Sequence, residues 1–316
     1  MSLQTPPLTG PAPATDSTIA ITAPGYRQRG RGGAGAGAGR ARRRVGATAL
    51  HIVLVIAGIA MVFPFIWMLL TSFKTLPQLL KNPLEFLPSP WTFDNYAEAW
   101  NAVPFAQAYL NSGYIALLVV VGTLITASMA GYAFARIRFG GSRVLFIVFL
   151  ATQMIPKQVT LIPFYLLMSN LGWVDSHLAL IIPGIIANPF AVFLMRQFVL
   201  ALPRELEEAA IVDGAGRWRI FWSVVLPNLK PGLAALSIIV ALDVWNAFLF
   251  PLVLLNSPDL FTVPLLLNAF ESQQGSVNYG LVMAASAIAT VPMLIVFVIG
   301  QRKILNSMAA SGLGGR

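Results

Sequence analysis

A chain of 316 residues that is 57% hydrophobic and only 10% charged cannot present a water-facing surface of normal size, because soluble domains run at about 25% charged. The same balance excludes intrinsic disorder for most of the chain, and the absence of cysteine excludes disulfides, thiolate metal sites and a cysteine nucleophile. Only two histidines, His51 and His177, argue against a multi-histidine metal site, and the net charge of +9 points to nucleic acid or to lipid depending on where it sits.

Residues 1–45 are rich in Pro, Thr, Gly and Ala and end in the basic cluster Arg40, Arg42, Arg43 and Arg44. Such a segment buries too little apolar surface to offset its ordering entropy, so it reads as a disordered basic cytoplasmic tail. The apolar run that follows is longer than the h-region of a signal peptide, and its leader is too long for one.

Crossing a bilayer takes about 20 apolar residues. Six stretches qualify, over 47–71, 108–135, 144–168, 178–200, 232–255 and 279–300. The third is the least regular, since Lys157 lies inside it between Pro156 and Pro163. Pro64, Pro183, Pro189, Pro251 and Pro292 interrupt others, which membrane helices tolerate where neighbours satisfy the freed carbonyls. These stretches predict an all-α membrane domain over 46–305 and a short cytoplasmic tail over 306–316.

With the amino terminus in the cytoplasm, six crossings leave only Lys74, Lys81 and Lys157 away from the inner segments, among all the lysines and arginines. That asymmetry follows the positive-inside rule and puts both termini in the cytoplasm. The positive charge is then topological, with membrane lipid as its contact and no nucleic acid implied.

The motifs of common chemistries are missing. No phosphate-cradling G-x-x-x-x-G-K-[ST] loop, H-E-x-x-H or G-x-S-x-G element occurs. Asp243 alone is a carboxylate clearly inside a span, whereas an ion-coupled pump ordinarily shows several ionisable groups there. These residues predict neither an enzyme nor a self-powered carrier.

The segment Pro203–Pro227 between the fourth and fifth stretches carries more information. Glu205, Glu207 and Glu208 suit the first turn of a helix, where the dipole favours negative charge. Ala209 and Ala210 give it a smooth surface, Gly214 supplies a left-handed turn to end it, and Asp213 or a neighbour suits the cap of the next helix. Trp218, Phe221 and Trp222 read as apolar anchors of that second helix. On these residues alone, a docking surface for a soluble partner and an ordinary connecting loop are equally good readings.

The run Glu208-Ala209-Ala210-x-x-Asp213-Gly214-Ala215, followed by Phe221 and Leu226-Pro227, resembles the EAA loop of bacterial ABC-importer permeases. The resemblance extends over most of 50–305 through Asn111-Ser112, Ile162-Pro163-Phe164-Tyr165, Leu171-Gly172-Trp173-Val174-Asp175-Ser176, Trp245-Asn246-Ala247-Phe248, Phe261-Thr262-Val263-Pro264-Leu265 and Gln301-Arg302. These are similar to the smaller, six-helix permease of maltose-transporter-type carbohydrate importers. The resemblance implies the type I permease architecture and the bacterial cytoplasmic membrane. It implies a second permease subunit, two ATP-binding subunits that carry the ATP and Mg, and an extracytoplasmic solute-binding protein. No cofactor is implied in this chain. In that family the loop docks on the ATPase, which makes Glu208, Ala209, Ala210, Asp213, Gly214, Ala215, Phe221, Leu226 and Pro227 the expected coupling residues. The solute expected is a sugar or oligosaccharide; glycerol 3-phosphate on the same machine, an ion-coupled carrier and a membrane enzyme are the rivals.

Gln153, Asp243 and Asn246 are candidates for the substrate path, against a purely helix-to-helix bonding role. The polar run Ser272, Gln273, Gln274, Gly275 and Ser276, in an expected loop over 256–278, is the candidate contact with the binding protein by the same resemblance. His177 reads as simple surface, and Trp91, Tyr96 and Trp100 read as an interfacial belt. Lys157 falls about 21 Å along the third stretch when counted from Arg143. It either snorkels along its stem or is turned by Pro156 toward a wet cavity.

Overall fold

The computed structural model describes residues 35–186, 188–274 and 278–313, and every regular element among them is helical. The chain divides into two units, Met1–Met61 and Val62–Arg316, and the division falls inside helix α1 (Gly35–Ser72). Helix thus starts within the Gly-Ala tract of the amino-terminal stretch. The second unit continues through α2 (Leu76–Lys81), α3 (Asp94–Ala102), α4 (Phe105–Arg136), α5 (Ser142–Ala151) and α6 (Leu161–Asn170). Next come α7 (Leu178–Ile186), α8 (Pro189–Ala201), α9 (Glu205–Val212), α10 (Arg217–Ile220) and α11 (Leu226–Asn228). The chain ends with α12 (Lys230–Trp245), α13 (Leu249–Leu254), α14 (Val263–Gln274) and α15 (Tyr279–Leu313). Helix α15 carries on into the stretch over 306–316.

Four stretches among the described residues are long and apolar enough to cross a membrane: Leu50–Ser72, Phe105–Arg136, Leu178–Ala201 and Tyr279–Ile299. Arg217–Asn228 with Lys230–Trp245, bent by 75°, makes a fifth if taken as one span. The expected third span over 144–168 is not a continuous helix. It stops at Ala151, passes through a 3-10 turn at Thr152–Met154, and resumes only at Leu161. The cause is Pro156, whose ring disfavours helical backbone in the residue before it; Ile155 is extended at φ −82, ψ 118. The expected span over 232–255 is likewise divided, into α12 and α13.

Helix α4 is the axis of the second unit and packs against α7, α8, α12 and α14. Its apolar residues Ile115, Val119 and Ala127 join Ile181, Ala191, Met195, Leu236 and Val240 in one buried cluster. Hydrocarbon is as apolar as leucine, so the helices are held by close packing and hydrogen bonds rather than by expulsion from water. Close packing needs small residues at the crossings. A Cβ on Gly131 would lie 2.8 Å from the backbone nitrogen of Arg196, and one on Gly232 would lie 2.7 Å from the Phe198 ring.

Two proline-interrupted regions show how the freed backbone is satisfied. Pro292 has no N–H for the carbonyl of Ile288, four residues back, and the Tyr109 hydroxyl donates to that carbonyl at 2.5 Å. At the end of α7 the carbonyl of Ile185, four residues before Pro189, has no helical partner and accepts from Thr126 Oγ1 at 2.8 Å. The neighbouring Gly184 carbonyl accepts from Thr123 Oγ1 at 3.1 Å. Asn188 then starts α8 by accepting the N–H of Ala191 at 2.9 Å on its side-chain oxygen.

The connections are tied just as firmly. Asn111 donates to the carbonyls of Asp259 at 2.8 Å and Phe261 at 3.0 Å, and Ser112 Oγ accepts from Val263 N at 2.9 Å. Asp175, held at φ 59, accepts from the amides of Asn256 at 2.8 Å and Ser257 at 2.9 Å and from the Ser257 hydroxyl at 2.5 Å. His177, expected at the surface, is buried instead: its Nε2 meets the Leu260 carbonyl at 2.7 Å and its Nδ1 the Tyr114 hydroxyl. Of the residues expected in an interfacial belt, Trp91 and Trp100 are exposed and Tyr96 is half-buried. Tyr96 shares a hydrogen bond of 2.7 Å with Ser72, and Trp100 stacks on Phe105 at 5.9 Å. The expected loop over 256–278 is mostly helix, because Val263, Leu265, Leu266 and Phe270 give α14 a buried apolar face.

Removing the Tyr109 hydroxyl in Tyr109→Phe leaves the Ile288 carbonyl unpaired in an apolar setting, at a cost of about 1 kcal/mol. Pro292→Ala on that background restores an N–H to the carbonyl and recovers part of the loss. Thermal unfolding of the single and double variants in detergent checks this, and a double variant less stable than the single one contradicts it. At Asp175, the Ser257 hydroxyl and the two amides hold the carboxyl below its ordinary value. A lowered folded pKa means that the clasp contributes above the ordinary carboxylate range and is lost as pH falls through the lowered value. Amide exchange at Asn256 and Ser257 is therefore expected to be several-fold faster in Asp175→Ala at neutral pH. That difference from the parent protein closes only at strongly acid pH.

Candidate functional site

The segment 203–227 folds as its residues direct. Glu205, Glu207 and Glu208 occupy the first turn of α9, where exposed N–H groups and the dipole favour carboxylates. Gly214 ends the helix at φ 78. Its N–H bonds the Ile211 carbonyl at 2.9 Å, and the Ala215 N–H reaches back to the Ala210 carbonyl at 2.9 Å. This pair of bonds is the Schellman arrangement, which a residue with a Cβ enters only with strain. Asp213 closes α9 and does not cap the next helix, which begins after Gly216. A short π-helical turn, Phe221–Val225, joins α10 to α11.

The two adjacent glutamates point to different environments. Glu207 turns inward and its Oε1 lies 2.7 Å from Arg136 Nε, with 14% and 8% of the two side chains exposed. Tyr132 donates to the other Glu207 oxygen at 3.2 Å. Arg136 Nη2 in turn donates to the carbonyls of Val199 at 3.0 Å and Leu202 at 2.6 Å, satisfying the open end of α8. Beneath them Phe221, Ile220, Val225 and Leu229 are buried with Tyr132 and Val199, and Ala210, Ala215 and Leu226 pack against that cluster. Glu208, Ala209, Asp213, Gly214 and Pro227 face outward, free of the chain's own core. Trp218 and Trp222, expected as anchors, are exposed; of the three aromatics only Phe221 is buried.

A single side chain thus joins the ends of α4 and α8 to the first turn of α9. The sequence marks Arg136 only as one more basic residue near a helix end. Nothing local relates it to Glu207, 71 positions away, because the pairing is made by the crossing of α4 and α8.

The second group of candidates behaves differently. Asp243, in the last turn of α12, is exposed and lies 3.9 Å from Lys157 Nζ. Asn246, three residues on, is exposed and donates to the Leu242 carbonyl at 2.8 Å. Gln153 is exposed on the Thr152–Met154 turn and makes no polar contact with Asp243 or Asn246. The structure therefore joins Asp243 to Lys157, a residue outside the original candidates. It does not join Asp243 to Gln153. Among the described residues there is no cluster of His, Asp and Glu that could hold a metal ion.

The third group is only partly described. Ser272 is exposed in the last turn of α14 and donates to the Asn268 carbonyl at 2.9 Å. Gln273 and Gln274 complete that helix, and Gly275 and Ser276 lie outside the described residues.

Comparison with known proteins identifies the family. Residues 122–309 match the family described as the inner membrane component of binding-protein-dependent transport systems. The chain is 38% identical to the arabinooligosaccharides transport system permease protein AraQ of Halalkalibacterium halodurans over 257 residues, 80% of this chain and 91% of that protein. It is 33% identical to the diacetylchitobiose uptake system permease protein NgcG of Streptomyces coelicolor over 261 residues, 82% of this chain and 86% of that one. Among solved structures it resembles a chain of a bacterial ABC transporter that imports the acidic polysaccharide alginate. There the TM-score is 0.73 at 25% identity, covering 82% of this chain and 96% of the other. The chain belongs to the family of inner membrane components of binding-protein-dependent transport systems, and its helical fold is that of an ABC-importer permease.

Proposed function

We propose that this chain is one of two permease subunits of an ATP-driven importer for a sugar or oligosaccharide in the bacterial cytoplasmic membrane. Two ATP-binding subunits hold the ATP and Mg, and one of them docks on 203–227; an extracytoplasmic binding protein delivers the solute. The observation that carries this reading is the division of labour between Glu207 and Glu208. Glu207 is fastened to Arg136 inside the fold, while Glu208 and Ala209 stand outward on the same turn of helix. A force applied to the outward face of α9 is therefore passed to α4 and α8 instead of bending a loop. The substrate class follows the relatives, whose names specify arabinooligosaccharides and diacetylchitobiose, and this favours oligosaccharide over glycerol 3-phosphate.

In this reading the chain crosses six times with both termini cytoplasmic. Helices α5 and α6 together make the irregular third crossing, and α12 continued by α13 makes the fifth. The positive-inside distribution of arginine and lysine supports that orientation. Ser272, Gln273 and Gln274, at the end of α14, would then face the binding protein. Gln153, Asp243 and Asn246 would look into the path.

Glu208→Lys introduces like charge at the docking face, where such contacts cost several kcal/mol. It is expected to reduce solute-stimulated ATP hydrolysis by about tenfold or more in the assembled transporter, with normal amounts of the chain in the membrane. Gly214→Val is expected to act in the same direction by straining the φ 78 turn. Unchanged stimulation in Glu208→Lys at equal expression removes the coupling role. The brace has its own signature. Arg136→Met leaves Glu207 charged and largely buried, a loss on the order of 3 kcal/mol. Adding Glu207→Gln removes that charge, so the double variant is expected to unfold at a higher temperature than Arg136→Met alone.

A further inference from the structure

Lys157 and Asp243 are brought together from different helical segments in a part of the chain that is otherwise apolar. Asp243 lies in the last turn of a candidate span, and Lys157 in the break between α5 and α6. A charge at this depth is costly in hydrocarbon, and an intramembrane ionisable group is found facing protein or a water-filled cavity. Three observations set this pair apart from the chain's own packing. The side chains remain 71% and 69% exposed although they are paired, and their 3.9 Å separation is longer than a tight ion pair. Every residue from Ala151 to Thr160 is exposed while the backbone leaves the helix. Backbone off the helix at membrane depth is tolerated where it is buried in protein or lines a wet cavity. Asn246 then adds an exposed amide one turn beyond Asp243.

We propose that Lys157 and Asp243 form a neutral donor–acceptor pair on the wall of the translocation path. On solute passage each head exchanges its partner for hydroxyl groups of an uncharged polyhydroxylated solute. The inference rests on the transport reading above and gives that path a specific recognition element. The chemistry is matched in kind. An ammonium carries three donors and no acceptor, and a carboxylate carries only acceptors, so together they take a diol in either sense. Their charges cancel, so the wall neither traps an anion nor repels a neutral sugar. The loose separation matters as well, since a tight buried pair would not open for a hydroxyl. Simple snorkelling of Lys157 is a poorer account, because its ammonium is directed to a carboxylate on α12 rather than along its own stem toward headgroups.

The test uses the complete transporter, with both permeases, the ATPases and the binding protein, in proteoliposomes. The probe is whichever of arabinotriose, diacetylchitobiose, lactose and maltose most stimulates ATP hydrolysis by the parent protein. Lys157→Met and Asp243→Asn are each expected to raise the KM for uptake about tenfold, the worth of one hydrogen bond to a charged group. The amounts of each subunit in the purified complex should match the parent. Because the chain has no cysteine, a thiol introduced by Lys157→Cys or Asp243→Cys can be followed on it alone. A water-soluble, membrane-impermeant thiosulfonate is expected to label both positions, at rates that fall several-fold when the probe sugar and loaded binding protein are present. Parent-like uptake kinetics in both charge-removing variants overturn the proposal, and so do thiols that do not react or whose reaction ignores the sugar. If none of the four sugars stimulates the parent transporter, the oligosaccharide reading itself fails, and the proposal falls with it.

Discussion

Backbone carbonyls and N–H groups that leave the helical ladder have no water to turn to inside a bilayer, so each must find a partner within the protein. In this chain that role falls largely to one helix. From end to end α4 supplies Tyr109 to Ile288, Asn111 to Asp259 and Phe261, and Ser112 to Val263. Further along it supplies Thr123 to Gly184, Thr126 to Ile185, and Arg136 to Val199 and Leu202. The polar residues of this apolar helix are thus not distributed for solubility. Those named here each face a place where a neighbouring segment breaks, bends or ends, while Ser128 and Gln107 bond within α4 itself.

That arrangement allows irregular backbone without loss of rigidity. The Pro189 and Pro292 interruptions are covered by hydroxyls from α4, so α8 stays packed on α4 and α15 on α12 instead of becoming loose joints. At its last turn α4 fastens the amino-terminal turn of α9 through Arg136 and Glu207. A displacement of α9 is passed through that pair to α4, which is the mechanical property that the proposed docking role requires. The exposed pair Lys157–Asp243 is the exception to this economy. It is polar, loosely spaced and uncovered by the chain's own residues, whereas the structural polar contacts of α4 are mostly shorter and more enclosed.

The membrane class, the helical content and the local structure of 203–227 were legible in the residues themselves. Hydrophobic composition and charge asymmetry are properties of the chain before it folds. The first turn of α9, with its three glutamates, and the stop at Gly214 follow from local dipole and backbone sterics, which need no tertiary context. The motif from Glu208 to Pro227 keeps its spacing because both helices and the turn between them are set by residues within the segment. Periodicity failed where apolar length was taken as continuity. The stretch over 144–168 is apolar enough to span, yet Pro156 divides it, and the polar stretch over 256–278 folds mostly into α14 through a buried apolar face.

Only the tertiary structure decided which charged groups meet. Glu205, Glu207 and Glu208 are equivalent as sequence, and the crossing of α4 with α8 is what selects Glu207 for Arg136 and leaves Glu208 outside. His177 reads as surface until Tyr114 and the Leu260 carbonyl close over it. Lys157 and Asp243 are separated by 86 positions, and their pairing depends on the break at Pro156 lying beside the end of α12. Local sequence determines where a helix starts, which residues it carries and where it must stop. Long-range pairing depends on how helices cross, and in a membrane those crossings are set by small residues and by unsatisfied backbone groups distributed over the whole chain.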